Sequence, residues 1–347
     1  MRALEELPEQ DKDLLFPIFA LKPWMSSKHL DNTVARIEQA YGNRRFFADI
    51  AEPELIDKRR LVHDEIDSLL APADGYLNWC EFVAARPNFV PALQLGEPAA
   101  LVPQLERLHG LGRGVLVRVD EFAFPLLTEM VDAVAARTGG GQHVCFLLDL
   151  GKGNKNLLLR QAECTTYAQT VLGIAPSAFV SLSASSFPTS FVNLDEQDIY
   201  ERQLFDGVVL HTKSPKLIYS DRGSARAESQ QGGGGAPSPR IDYAQIGRWL
   251  FFRDESEIHP DLGEEERRAA RAQGYIDQAG VLVASDAWDP DLHVWGTQMI
   301  ERTALGDVGA ISTPMVSTAA RINIHLHRQI FFDDPGAGYD TDEDWTD

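Results

Sequence analysis

Six short apolar runs recur in the first 184 residues of the chain, at residues 14–21, 46–50, 89–95, 114–120, 143–150 and 178–184. They lack polar alternation, which suits strands buried on both faces, as in a parallel sheet covered by helices. The stretches between them carry helical spacing. Residues 29–41 place Val34, Ile37 and Tyr41 on one face, and residues 54–70 repeat Leu55, Leu61, Val62, Ile66 and Leu69. Residues 98–109, 124–137 and 156–172 follow the same logic, and Gly139, Gly140 and Gly141 stop one of these helices. This alternation predicts an α/β fold, a TIM-like (β/α) barrel in which side chains at the strand ends line the working face.

Such a barrel commonly fills about 250 residues, so one barrel with additions fits the 347 residues present. We therefore expect a single α/β-barrel domain over residues 1–332. Past residue 205 the rhythm loosens: residues 217–221 and 249–253 are strand candidates, and residues 264–273 and 316–332 form a C-terminal helical addition. Between the two strand candidates, residues 223–239 hold four consecutive glycines among Ser and Pro, the composition of a flexible insertion. Residues 333–347 carry seven acidic side chains and are expected to be a disordered tail.

The 52 acidic residues outnumber the 32 basic ones, for a formal charge of −20. That balance argues against general binding to nucleic acid or to an anionic membrane. Cys80, Cys145 and Cys164 are odd in number and widely spaced, which fits reduced core thiols in a reducing compartment. The acidic first residues lack the basic start and apolar core of a signal peptide, and no apolar run reaches membrane length. A cytoplasmic protein is expected.

Familiar catalytic signatures are mostly absent. Gly151-Lys152-Gly153-Asn154-Lys155 follows a strand but lacks the spacing of a phosphate loop, and reads as a turn. His325 and His327 stand two apart in a predicted helix, which points them to different sides and makes a poor metal pair. The strand ends are more informative. Asp49, Asp120 and Asp149 lie on different strands and are candidate catalytic carboxylates, able in principle to bind a divalent metal or to divide acid and base roles. The bland alternative is that each caps a helix or pairs with Arg118. Lys22, Arg118, Ser185, Ser186, Asp221 and His325 form the candidate ligand-binding set. Neither serine has an identified base, so neither reads as a nucleophile.

The ordered set Phe16-Pro17-Ile18, Arg118-x-Asp120, Leu148-Asp149-Leu150, Ser185-Ser186-Phe187-Pro188, Tyr219-x-Asp221 and Asn323-x-His325 resembles the phage beta protein family over most of the chain. The resemblance implies a barrel and a phage or mobile-element connection, and no particular chemistry. The family pattern opens with a strand ahead of the helix that here begins at Arg2. The barrel is therefore expected to lack its first strand, leaving residues 14–21 with an unpaired edge or a substitute partner. The leading expectation is a protein of phage and host conflict that binds a protein partner or a small ligand at the barrel mouth. The alternatives are an acid- or metal-assisted hydrolase using Asp49, Asp120 and Asp149, and an acidic mimic of nucleic acid.

Overall fold

The described residues form ten strands along the chain: β1 (Ile18–Leu21), β2 (Phe46–Ile50), β3 (Phe89–Pro91), β4 (Val115–Asp120), β5 (Val144–Lys152), β6 (Phe179–Ser185), β7 (Glu196–Asp198), β8 (Leu217–Asp221), β9 (Arg240–Ala244) and β10 (Arg248–Arg253). The structure is a computed structural model that describes residues 1–24, 27–51, 58–226, 238–253 and 263–339. Its contacts divide the chain into two units. One comprises Phe16–Ser185 with Tyr200–Asp221, and the other Met1–Leu15, Ser186–Ile199 and Arg222–Asp347.

The first unit holds the parallel strands. β1, β2 and β3 form one sheet, and β4, β5, β6 and β8 another, with every pairing parallel. All six apolar runs thus supply strands. Beyond β3, a parallel bridge joins Ala92 to Leu116 of β4, and the Leu93 amide donates to the Leu116 carbonyl at 2.8 Å. Ala92, Leu116, Cys145 and Leu147 form one buried cluster, with Ile18 and Phe47 packed against it. Inward side chains from β1, β2, β4 and β5 and from just past β3 therefore share one interior.

The mixed α/β class with parallel sheets is what the sequence implies, but the closed barrel is not observed. The ladders stop at three and four strands, and β1 and β8 are edges among the described residues. The interruption falls at β3, which is only three residues long and ends in Pro91, whose nitrogen has no hydrogen to donate. β1 pairs with β2 alone among the described residues.

Helices Asp31–Tyr41, Leu61–Leu69, Leu101–His109, Leu127–Ala135 and Gln161–Ile174 follow the predicted alternation. Part of the predicted 54–70 helix, residues 54–57, lies outside the described residues. Two further helices of this unit are unanticipated. Ala73–Ala84 buries Tyr76, Trp79, Cys80 and Val83 on one face, and the Trp79 indole N–H donates to the Ala92 carbonyl at 2.9 Å. Tyr200–Thr212 buries Leu204, Phe205 and Val208. Cys80, Cys145 and Cys164 are free and buried, and burial pushes the Cys145 thiol up to about 12.

The second unit is built on an antiparallel sheet ordered β7-β10-β9. Its core gathers Phe187, Tyr243, Trp249, Phe251, Tyr275 and Ile324, with residues from helices Glu264–Val283, Trp295–Ala304 and Pro314–Ile330. The last of these helices anchors the N-terminal segment. Asn323 Nδ2 donates to the Ala3 carbonyl at 3.0 Å while its Oδ1 accepts from the Gly296 amide at 2.9 Å. His327 Nδ1 lies 2.7 Å from Asp11 Oδ2, both side chains being buried. Most of the predicted Gly-rich insertion, residues 227–237, lies outside the described residues, as does the tail from residue 340. Within the predicted tail, Pro335–Tyr339 forms a 3₁₀ turn. Among the described residues, no helix is long and apolar enough to cross a membrane.

Candidate functional site

Side chains alternate across a strand, so residues two positions beyond an inward apolar residue face the same interior. Asp49 stands two after Phe47, Gln94 two after Ala92, Arg118 two after Leu116, and Asp149 two after Leu147. These four residues converge at the carboxyl ends of β2, β4 and β5 and just past β3. Arg118 is the hub. Its Nε donates to Asp149 Oδ2 at 2.9 Å, Nη2 lies 2.8 Å from the same oxygen, and Nη1 donates to Asp49 Oδ2 at 3.3 Å.

Each carboxylate is also held by uncharged donors. Asp49 Oδ1 accepts from the Ile50 amide at 2.8 Å and from Gln94 Nε2 at 3.2 Å. Gln104 fixes Gln94 in turn, accepting from its amide at 2.7 Å and donating to its carbonyl at 3.0 Å. Asp149 Oδ1 accepts from the Gly151 amide at 3.0 Å, across a turn in which Gly151 takes φ of +62°. The Gly153 amide donates to the Ser185 carbonyl at 2.8 Å. Two amides of the loop-like Gly151–Lys155 sequence are thus consumed within the fold, in keeping with a turn.

Asp49 and Asp149 are buried, whereas the Arg118 side chain is 30% exposed. Burial pushes the Asp49 carboxyl above its ordinary range, outweighing the attraction of Arg118 and the hydrogen bonds from Ile50 and Gln94. Burial also works against the charge on Arg118, but Asp149 and then Asp49 overcome it and hold the guanidinium protonated.

The other predicted residues do not all join this group. Asp120 is exposed, and its Oδ1 accepts from the Phe122 and Ala123 amides at 3.0 and 3.1 Å, which makes it the cap of the turn that follows β4. Asp221 pairs in register with Ala184 and so takes the opposite strand parity from Ser183 and Ser185; its Oδ2 accepts from the Tyr219 hydroxyl at 2.8 Å. Tyr219 packs on Phe205 with Arg202 over its ring, so this pair faces the covering helix Tyr200–Thr212. Lys22 has an exposed side chain, and its carbonyl accepts from Thr33 Oγ1 at 2.8 Å. Ser185 is buried at the end of β6.

Ser186 and His325 belong to the second unit. Ser186 is buried and its carbonyl accepts from Gln197 Nε2. His325 is fully buried, with its Nδ1 accepting from the Trp249 indole N–H at 3.4 Å. His327 turns instead toward Asp11, as their two-residue spacing requires. Among the described residues, no group of three or more His, Cys, Asp or Glu is placed to hold a metal ion. Gln94 and Gln104 escaped the sequence reading. The one signal for Gln94 was its position two beyond Ala92 in a run otherwise read as strand.

The fold and this cluster together define a mixed α/β protein with parallel sheets that carries a cluster of charged side chains at strand carboxyl ends. The chain belongs to the Beta protein family, whose model matches residues 1–331. It is similar to "Protein beta" of Enterobacteria phage P4, with 24% identity over 355 residues, covering 99% of this chain and 94% of that protein. No solved structure matches it.

Proposed function

We propose that this phage-related beta-family protein acts in phage and host conflict by binding a small polar ligand, or a polar side chain of a partner protein, at the Arg118 cluster. The observation that carries this reading is the partial exposure of Arg118 between two buried carboxylates. A guanidinium has five N–H donors in a fixed fork. A ligand that offers an acceptor to Arg118 and a donor to the carboxylates matches the cluster on both counts. The phage connection rests on the family and on the similarity to the phage P4 protein.

A second reading keeps Asp49 as a proton donor. Its raised carboxyl is the property a general acid needs, and Arg118 is placed to steady an anion beside it. With Asp120 engaged in the turn after β4, this version rests on Asp49 and Asp149. Native mass spectrometry of gently purified wild type and Arg118→Lys tests the proposal. We expect a bound small molecule or partner on wild type that is lost in the variant. The same bound species on both proteins, or none on wild type, contradicts the reading.

A further inference from the structure

In the second unit three arginines gather around one aspartate among the described residues. Arg321 Nη1 donates to Asp242 Oδ2 at 2.6 Å, with both side chains buried. Arg240 binds the same carboxylate, through Nη2 to Oδ2 at 2.9 Å and through Nε to Oδ1. Arg226 joins them without an ion pair among the described residues: its Nε donates to the Pro188 carbonyl at 3.1 Å. Two aromatic rings floor the group. The guanidiniums of Arg240 and Arg226 lie 3.5 and 5.6 Å from the Phe191 ring centre, and that of Arg321 lies 4.0 Å from the Phe187 ring centre. Arg321 Nε also reaches the buried Ser224 hydroxyl at 3.3 Å.

Two guanidiniums therefore bind the carboxylate of Asp242 and a third, Arg226, shares the Phe191 ring with Arg240, with no other carboxylate bonded to the three among the described residues, in a chain whose net charge is −20. Burial, reinforced by the neighbouring arginines, pulls both Arg321 and Arg226 below the ordinary range. Arginine still stays protonated at neutral pH, so like charges are held together at a cost. A fold that keeps this arrangement has a use for it when an anion completes the group. The planar fork of arginine matches the oxygens of a phosphate two at a time. A phosphate monoester carries about −1.5 to −2 at neutral pH, close to the charge left over once Asp242 has neutralised one arginine.

We infer that Arg226, Arg240 and Arg321 form a binding site for a small phosphate-bearing molecule. Arg321, fixed by Asp242, is its buried base, and the half-buried Arg226 and Arg240 supply the reaching donors. This site is built from residues of the second unit and the Arg118 cluster from residues of the first, so either can fail without the other.

The test uses the full chain with inorganic phosphate and pyrophosphate as probes, at constant ionic strength set with sodium chloride. Binding is followed by equilibrium dialysis and by melting temperature. Wild type is expected to bind pyrophosphate saturably and to melt higher in its presence. Arg226→Met and Arg240→Met should each weaken binding by about tenfold or more. Without phosphate, Arg226→Met should melt at or above the wild-type temperature, because it removes repulsion and breaks no ion pair among the described residues. The inference is overturned if wild type binds neither probe saturably, if both arginine variants bind as tightly as wild type, or if Arg226→Met alone melts markedly lower.

Discussion

Arg118 presents Nε and Nη2 to one oxygen of Asp149, at 2.9 and 2.8 Å, leaving the other oxygen to the Gly151 amide. The pair ties β4 to β5 at their carboxyl ends and orients the remaining Arg118 nitrogen toward Asp49. Replacing Arg118 by Met would strand two buried carboxylates. Loss of one partner from a buried pair costs about 3–5 kcal/mol, and the partial exposure of Arg118 places this case at the lower end. Urea unfolding of Arg118→Met should therefore show a loss of about 3 kcal/mol. A loss under about 1 kcal/mol would mean that the cluster is solvated like a surface pair.

The two aspartates should respond differently to neutralisation. Asp149→Asn turns an amide group toward two donors of Arg118 and should cost about 2 kcal/mol. Asp49→Asn keeps an acceptor for Ile50 and Gln94, loses one longer contact to Arg118, and removes a charge that burial disfavours. Its cost should stay under about 1 kcal/mol. Equal losses in parallel urea titrations would contradict the assignment of Asp149 as the principal partner.

The raised Asp49 carboxyl also fixes the sign of a pH dependence. The folded state takes up this proton at a higher pH than the unfolded chain, whose ordinary value is 3.8. The contribution of Asp49 is therefore fully present below that value and is lost as pH rises through the folded one. Wild type should gain stability relative to Asp49→Asn between about pH 7 and about pH 4. A difference between the two proteins that does not change with pH, or that moves the other way, would refute the shift.

Strand positions were legible because runs such as Val115–Asp120 and the core of Val144–Lys152 lack alternation, the mark of a strand covered on both sides. Asp49, Arg118 and Asp149 were legible as a group because all three sit at strand ends. Asp120 left that group because the Phe122 and Ala123 amides, two and three residues away, offered it a local partner. Asp221 left it by a single step of strand parity, which no composition rule reveals. Gln94 and Gln104 carry no charge to draw notice. The helix Ala73–Ala84 was hidden by its start, where Asp74, Gly75 and Tyr76 take positive φ, although Tyr76, Trp79, Cys80 and Val83 keep helical spacing.

Asn323 of the family-like Asn323-x-His325 sequence has a structural duty, since it serves the Ala3 carbonyl and the Gly296 amide together. Asn323→Leu leaves both backbone groups buried and unpaired. Each such group costs about 1–3 kcal/mol, so the variant should lose about 3 kcal/mol and expose the N-terminal segment to early proteolysis. Wild-type stability and an unchanged cleavage pattern would show that the segment is held by other contacts.

The central claim is that the Arg118 cluster serves binding in phage and host conflict rather than the scaffold alone, and Asp49→Asn separates the two because its cost in stability is small. The measurement is the efficiency of phage plating on hosts expressing wild type or Asp49→Asn, with the melting temperature of each purified protein. Wild type should change plating, and Asp49→Asn should lose that effect while melting within a few degrees of wild type. A variant that keeps the full effect, or that loses it only in step with its stability, would contradict the account.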